Sequence, residues 1–128
     1  MLATDFTARA STRLERRRSE LEQEIRVKLA AAREVTGSEG IDQVIEGGDY
    51  ASADLIAALD IAEVQRDIVE LREVNAARKR LADGEYGVCV ECGTDIPPAR
   101  LEAYPTAVRC TRCQEAFEAR AGTQHARL

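Results

Sequence analysis

Cys89, Cys92, Cys110 and Cys113 are the only thiols in this 128-residue chain, and they stand as two C-x-x-C pairs separated by 17 residues. That spacing is the pattern of a four-cysteine zinc site. A two-residue gap lets both sulfurs of a pair turn toward one ion. The long insert lets the second pair fold back and complete a tetrahedron of soft thiolates. The competing uses of such cysteines are two disulfides or a redox-active dithiol. The chain carries no secretory signature and no βαβ pattern around either pair, so one structural Zn2+ held by all four is the expectation.

A metal finger of this size must be carried by something, and the rest of the chain reads as helix. Residues 1–36 and 49–83 contain neither Gly nor Pro, whereas Gly37, Gly40, Gly47 and Gly48 lie between them. The first span has Leu14, Leu21, Ile25, Leu29 and Ala32 at steps of three, four and seven. The second has Leu55, Leu59, Ile61, Ala62, Val64, Ile68, Leu71, Val74 and Leu81, with steps of three and four dominant. Neither span can bury its stripe alone. The expected fold is therefore mostly α: a long antiparallel helical hairpin, coiled-coil-like, over residues 1–83. A small four-cysteine finger follows over 84–128. In it Gly84 ends the second helix, Gly93 turns the first knuckle, and Thr106–Arg109 reads as a strand. Gln114–Arg120 reads as a short closing helix and Gly122–Leu128 as a loose tail.

Pairing residue 10 with residue 82 puts the hairpin's midpoint at residue 46, among the glycines. The charge pattern singles out the same place. The net charge is −5, and residues 36–55 hold five acidic groups (Glu39, Asp42, Glu46, Asp49, Asp54) and no basic ones. The reading is an acidic loop at the hairpin tip, near residues 37–52. Helices of ~30 residues hold it roughly 45 Å from the metal site.

Composition argues against other classes. Aromatics are 4% and Trp is absent, poor material for a globular enzyme core. The single histidine, His125, lies in the tail, and no nucleophile set, phosphate loop or paired-carboxylate pocket is visible, so no catalysis is expected. A DNA-binding finger needs a basic face, yet residues 85–128 hold five basic and six acidic side chains. No leader or membrane-spanning run is seen, and a cytoplasmic monomer without membrane contact is expected.

The segment Gly84-Glu85-Tyr86-Gly87-Val88-Cys89-Val90-Glu91-Cys92-Gly93, with Ile96, Arg100-Leu101-Glu102-Ala103, Pro105-Thr106-Ala107 and Cys110-Thr111-Arg112-Cys113, resembles the zinc finger of the DksA/TraR (DnaK suppressor) family. The resemblance implies a bacterial transcription regulator that binds RNA polymerase and not DNA. It inserts the hairpin into the secondary channel and alters open-complex stability through acidic tip residues. The family's tip pattern Asp-x-x-Asp-x-Ala, counted back from Cys89, falls on Glu46, Asp49 and Ala51, with Glu46 replacing the first Asp. Family members responsive to ppGpp use basic residues where this chain has Glu73, Tyr104 and Gln114, so weak or no alarmone co-binding is expected. The alternatives are a DNA-binding zinc-finger factor and a secondary-channel factor acting on elongation or backtracking.

Overall fold

The computed structural model describes residues 2–36, 39–48, 50 and 61–126. Five helices occur among them: α1 (Thr4–Thr36), α2 (Glu39–Gly47), α3 (Ala62–Ala82), α4 (Pro98–Ala103) and α5 (Thr111–Ala126). There is no strand among the described residues, only an isolated bridge between Val88 and Asp95. The chain divides into two compact units. One is Leu14–Ala76, and the other joins residues 1–13 to 77–128.

The first unit is the antiparallel hairpin. Leu14, Leu21, Ile25 and Leu29 of α1 and Val64, Ile68, Leu71 and Val74 of α3 are all at most 2% exposed. These are the seam residues that the three-and-four spacing selects, and each contributes about 1.5–3 kcal/mol on full burial. Ala62 is exposed at the start of α3, outside the seam. Leu55 and Leu59, also expected in the stripe, lie outside the described residues.

Charges flank the seam. Arg17 grips Glu70 with two bonds, Nε–Oε2 at 2.5 Å and Nη2–Oε1 at 2.8 Å, and Lys28 Nζ reaches Asp67 Oδ2 at 2.6 Å. Residues later in α1 thus meet residues earlier in α3, as antiparallel packing requires. The Arg17 guanidinium holds the Glu70 carboxyl below its ordinary value of 4.5. A carboxyl lowered by folding stabilises the fold above its unfolded value and loses that contribution as the pH falls through its folded one. Glu70 is 43% exposed, so solvent screening limits the effect to about 0.2–1 kcal/mol. Urea unfolding at neutral pH should show Glu70→Gln destabilised by that amount. As the pH falls through the folded value of Glu70, wild type and variant should converge; a gap unchanged by acid would count against the pair.

The expected acidic loop is in part a helix. α2 occupies residues 39–47, despite Gly40 and Gly47. Ile41 is 4% exposed, and Asp42 Oδ1 accepts from Arg33 Nη1 at 2.8 Å. Burial of one face and an ion pair to α1 outweigh the ~1 kcal/mol that a helical glycine costs.

α3 stops where the sequence indicates. Gly84 has φ +75°, its N–H donates to Leu81 O at 3.2 Å, and Glu85 N–H donates to Arg80 O at 2.8 Å. This is a Schellman ending, which calls for a residue free to adopt a left-handed backbone. The finger departs from expectation in two places. Thr106–Arg109 is turn and coil instead of strand. The closing helix is longer than Gln114–Arg120: it begins at Thr111 and runs through Gly122 to Ala126, so most of the expected tail is helical.

Candidate metal centre

The second unit is built around the four cysteines. Cys89 enters from the turn after Gly84 and is 2% exposed. Its carbonyl accepts from Gly93 N–H at 3.0 Å and its own N–H donates to Thr94 O at 2.8 Å. These bonds curl residues 89–94 into a tight knuckle, with Gly93 at φ +75°. The insert then returns through Pro97 and Pro98. Proline at the first position of α4 loses no helical hydrogen bond there, and the helix drives Leu101, 1% exposed, into the small core with Ile96 and Tyr86. The Tyr86 hydroxyl donates to Pro105 O at 2.8 Å. Val90 N–H donates to Val108 O at 2.9 Å, drawing the strap before Cys110 against the first knuckle.

The second knuckle uses a helix end. Cys110 immediately precedes α5, and its carbonyl accepts the helix's first bond from Gln114 N–H at 2.9 Å. Cys110 and Cys113 therefore sit at the N-terminal end of α5.

All four Sγ atoms lie within 4.8 Å of one another. Cys92 Sγ and Cys110 Sγ are 3.9 Å apart, close to the ~3.8 Å edge of a tetrahedron with Zn–S bonds of about 2.3 Å. The proton chemistry of the set also points to a cation. Burial opposes ionisation of Cys89, but backbone N–H groups of Cys92, Cys110 and Glu91 outweigh it and bring the thiol down to about 6. The Thr94 hydroxyl, 2.9 Å from Cys92 Sγ, lowers Cys92. Cys113, against Cys110 and the other sulfurs, is pushed up to about 12. Sulfurs this close cannot all ionise unless a positive ion compensates them, and a soft divalent ion does so. The site is a closed four-sulfur set. Its zinc would be structural, with no position left for a reacting ligand.

Two supports of the site escaped the spacing argument. Thr94 is one. Arg80 is the other: its Nη2 donates to Glu85 O at 3.0 Å and also to Val88 O, tying the end of α3 to the approach to Cys89. The remaining sequence candidates fall in the hairpin unit. Glu46 is exposed in the last turn of α2, whereas Asp49 and Ala51 lie outside the described residues. Of the three positions weighed for an alarmone, Glu73 and Tyr104 are exposed and Gln114 is half-buried beside Glu118.

Fold and site together define a helical-hairpin protein with a C4 zinc finger. A sequence profile of the prokaryotic dksA/traR C4-type zinc finger matches residues 84–119. An uncharacterised 8.2 kDa protein of Escherichia phage P2 is 47% identical over 60 residues, 47% of this chain and 80% of that one. The chain belongs to the DksA/TraR zinc-finger family. The RNA polymerase-binding transcription factor DksA of Caulobacter vibrioides is 39% identical over 72 residues, 56% of this chain and 51% of that protein. The chain thus covers about half the length of that relative. The structure of transcription factor DksA2 from Pseudomonas aeruginosa superposes with a TM-score of 0.69, covering 92% of this chain and 87% of that one at 23% identity, a likeness of fold. No helix among the described residues is long and apolar enough to cross a membrane.

Proposed function

We propose that this chain regulates transcription by binding RNA polymerase directly. Its hairpin enters the secondary channel, and Glu46, Asp49 and Ala51 act near the catalytic centre to alter open-complex stability. The observation that supports the reading is the exposed Glu46 in the last turn of α2, within the acidic segment that links the two antiparallel helices, in a chain whose finger belongs to this family. Carboxylates at that place suit a channel whose end holds a magnesium ion and basic groups.

The finger supports a docking and scaffolding role better than DNA binding. Arg109 Nε bonds Glu91 Oε1 at 3.2 Å and its guanidinium covers the Phe117 ring at 4.0 Å, and Arg100 Nε donates to Arg109 O at 3.0 Å. Cations committed in this way are poorly placed to neutralise phosphates. The proposed factor is a cytoplasmic monomer, and weak or no ppGpp co-binding is expected, since Glu73, Tyr104 and Gln114 offer no cation to a pyrophosphate.

The test is polymerase capture coupled to in vitro transcription. Asp49→Asn should keep zinc content, melting temperature and polymerase affinity while the change in open-complex lifetime disappears. If that variant regulates as the wild type does, the assignment of the tip is wrong; if the wild type fails to bind polymerase, the partner is wrong.

A further inference from the structure

We infer that Cys92 is the labile corner of the four-cysteine site and that Thr94 is its positioning residue, with a hydroxyl that holds the Cys92 sulfur in its ligating direction and slows its departure. The inference rests on the metal site described above. It adds an order in which the ligands let go and a side chain that governs the first step.

The four ligands are unequally held. Cys89 is 2% exposed, and both its N–H and its carbonyl are bonded within the knuckle, to Thr94 O at 2.8 Å and from Gly93 N–H at 3.0 Å. Cys110 and Cys113 are half-buried, one directly before α5 and the other inside its first turn. Cys92 alone of the four is exposed. A closed four-sulfur site has no open position, so exchange of the ion requires one sulfur to step aside. Water and a competing ligand reach the Cys92 corner first. There the sulfur leaves with the electron pair of its bond, and a donor atom of the incoming ligand takes its place. No electron is gained or lost.

Thr94 stands where it opposes that step. Its Oγ1 is 2.9 Å from Cys92 Sγ. A ligating sulfur is a thiolate without a proton, so in the loaded site the hydroxyl is the donor. Four thiolates around one divalent ion leave an excess of two negative charges, and a hydrogen bond to a charged acceptor relieves part of it. The bond also depends on orientation. Thr94 is fixed to the knuckle through its own carbonyl, which accepts from Cys89 N–H. Its hydroxyl therefore meets the Cys92 sulfur in one direction, the direction in which that sulfur also lies 3.9 Å from Cys110 Sγ. A sulfur that turns away to solvent gives up this bond. Thr94 thus links the best-buried ligand of the first knuckle to the exposed one.

The experiment compares wild type, Thr94→Val and Thr94→Ser as zinc-loaded full chains. Valine keeps the branched shape and removes the hydroxyl, whereas serine keeps the hydroxyl. Zinc release to excess pyridylazoresorcinol is followed by colour at constant pH. A parallel reaction contains a maleimide, and the labelled cysteines are mapped by mass spectrometry at short times. Wild type should carry the first label on Cys92. Thr94→Val should start with one zinc per chain but release it about tenfold faster, the low end for loss of an outer hydrogen-bond partner because this bond is exposed. Thr94→Ser should release zinc close to the wild-type rate. With Co2+ in place of zinc, Thr94→Val should move the sulfur-to-metal charge-transfer band to lower energy, since the sulfur loses a donor, while the bands of the tetrahedral ion stay in place. A role in packing alone would leave that band unmoved. First labelling at Cys89, Cys110 or Cys113 overturns the assignment of the labile corner. Wild-type release from Thr94→Val, an unmoved charge-transfer band, or equal acceleration in Thr94→Val and Thr94→Ser overturns the role of the hydroxyl. A wild-type chain that holds no zinc ends the site reading itself, and this inference with it.

Discussion

Cys89→Ser should release the zinc and unfold the unit that surrounds it. The apolar core of that unit is small. Ala10, Ala77, Tyr86, Cys89, Ile96 and Leu101 are its buried apolar residues among those described. A core of that size does not offset the conformational entropy of ordering a segment rich in turns, and small scaffolds of this kind depend on a staple. Here the staple is the metal. In zinc-finger peptides the ion contributes on the order of 10–16 kcal/mol at neutral pH, which is folding free energy because the site does not pre-exist in the unfolded chain. A serine hydroxyl at position 89 stays protonated at neutral pH and supplies a far weaker ligand. The same exchange at exposed Cys92 should cost less in packing but as much in coordination. Zinc should fall from one per chain to background by elemental analysis. Far-UV circular dichroism should lose part of its helical signal, because α4, the start of α5 and the ends of α1 and α3 belong to this unit. Chelation of the wild type should reproduce the spectrum of the variant, and re-addition of zinc should reverse it. A Cys89→Ser protein that retains one tightly held zinc and melts as the wild type would show that the quartet is not the site.

The legibility of this molecule in its sequence divides along physical lines. The metal site was readable because ligand spacing is a constraint of coordination geometry and survives any surrounding fold. The two long helices were readable because a stripe of Leu, Ile and Val repeats over many turns without a breaker. Short elements were not, since their state is decided by contacts that no local pattern records. α2 contains two glycines and reads as loop, yet Ile41 burial and the Arg33–Asp42 pair make it helical. Thr106–Arg109 has the β-branched character of a strand, but among the described residues its one backbone hydrogen bond to the first knuckle is the Val90–Val108 bond. The knuckle geometry overrides propensity there. α5 continues past Gly122 because a single exposed glycine weakens a helix without ending it. Tyr50 was missed for a related reason. One ring among acidic and glycine residues has no periodicity, and only the structure shows that it is buried.

Leu21→Ala should destabilise the hairpin unit more than loss of any charge pair that flanks it. Leu21 is fully buried in the seam of α1. Truncating such a leucine costs about 2–5 kcal/mol, the transfer of the lost methyl groups plus the cavity they leave. Arg17–Glu70 and Lys28–Asp67 are partly exposed, and pairs of that kind contribute about 0–1 kcal/mol each. The seam holds the helices together, and the charges select which residues face each other. Against a typical domain stability of about 5–15 kcal/mol, one seam truncation removes a large fraction, and pairing it with Ile68→Ala should leave little folded hairpin. The finger's ligands and core lie in the other compact unit, so zinc content should remain one per chain in Leu21→Ala while the urea midpoint falls. The two classes of variant are thus separable: Cys89→Ser loses metal, and Leu21→Ala loses hairpin stability with the metal retained. Under the proposed function, polymerase binding should weaken in Leu21→Ala with the fraction of folded hairpin, and lowering the temperature should restore it. A Leu21→Ala chain with an unchanged urea midpoint would mean that α1 and α3 are held by something other than this seam.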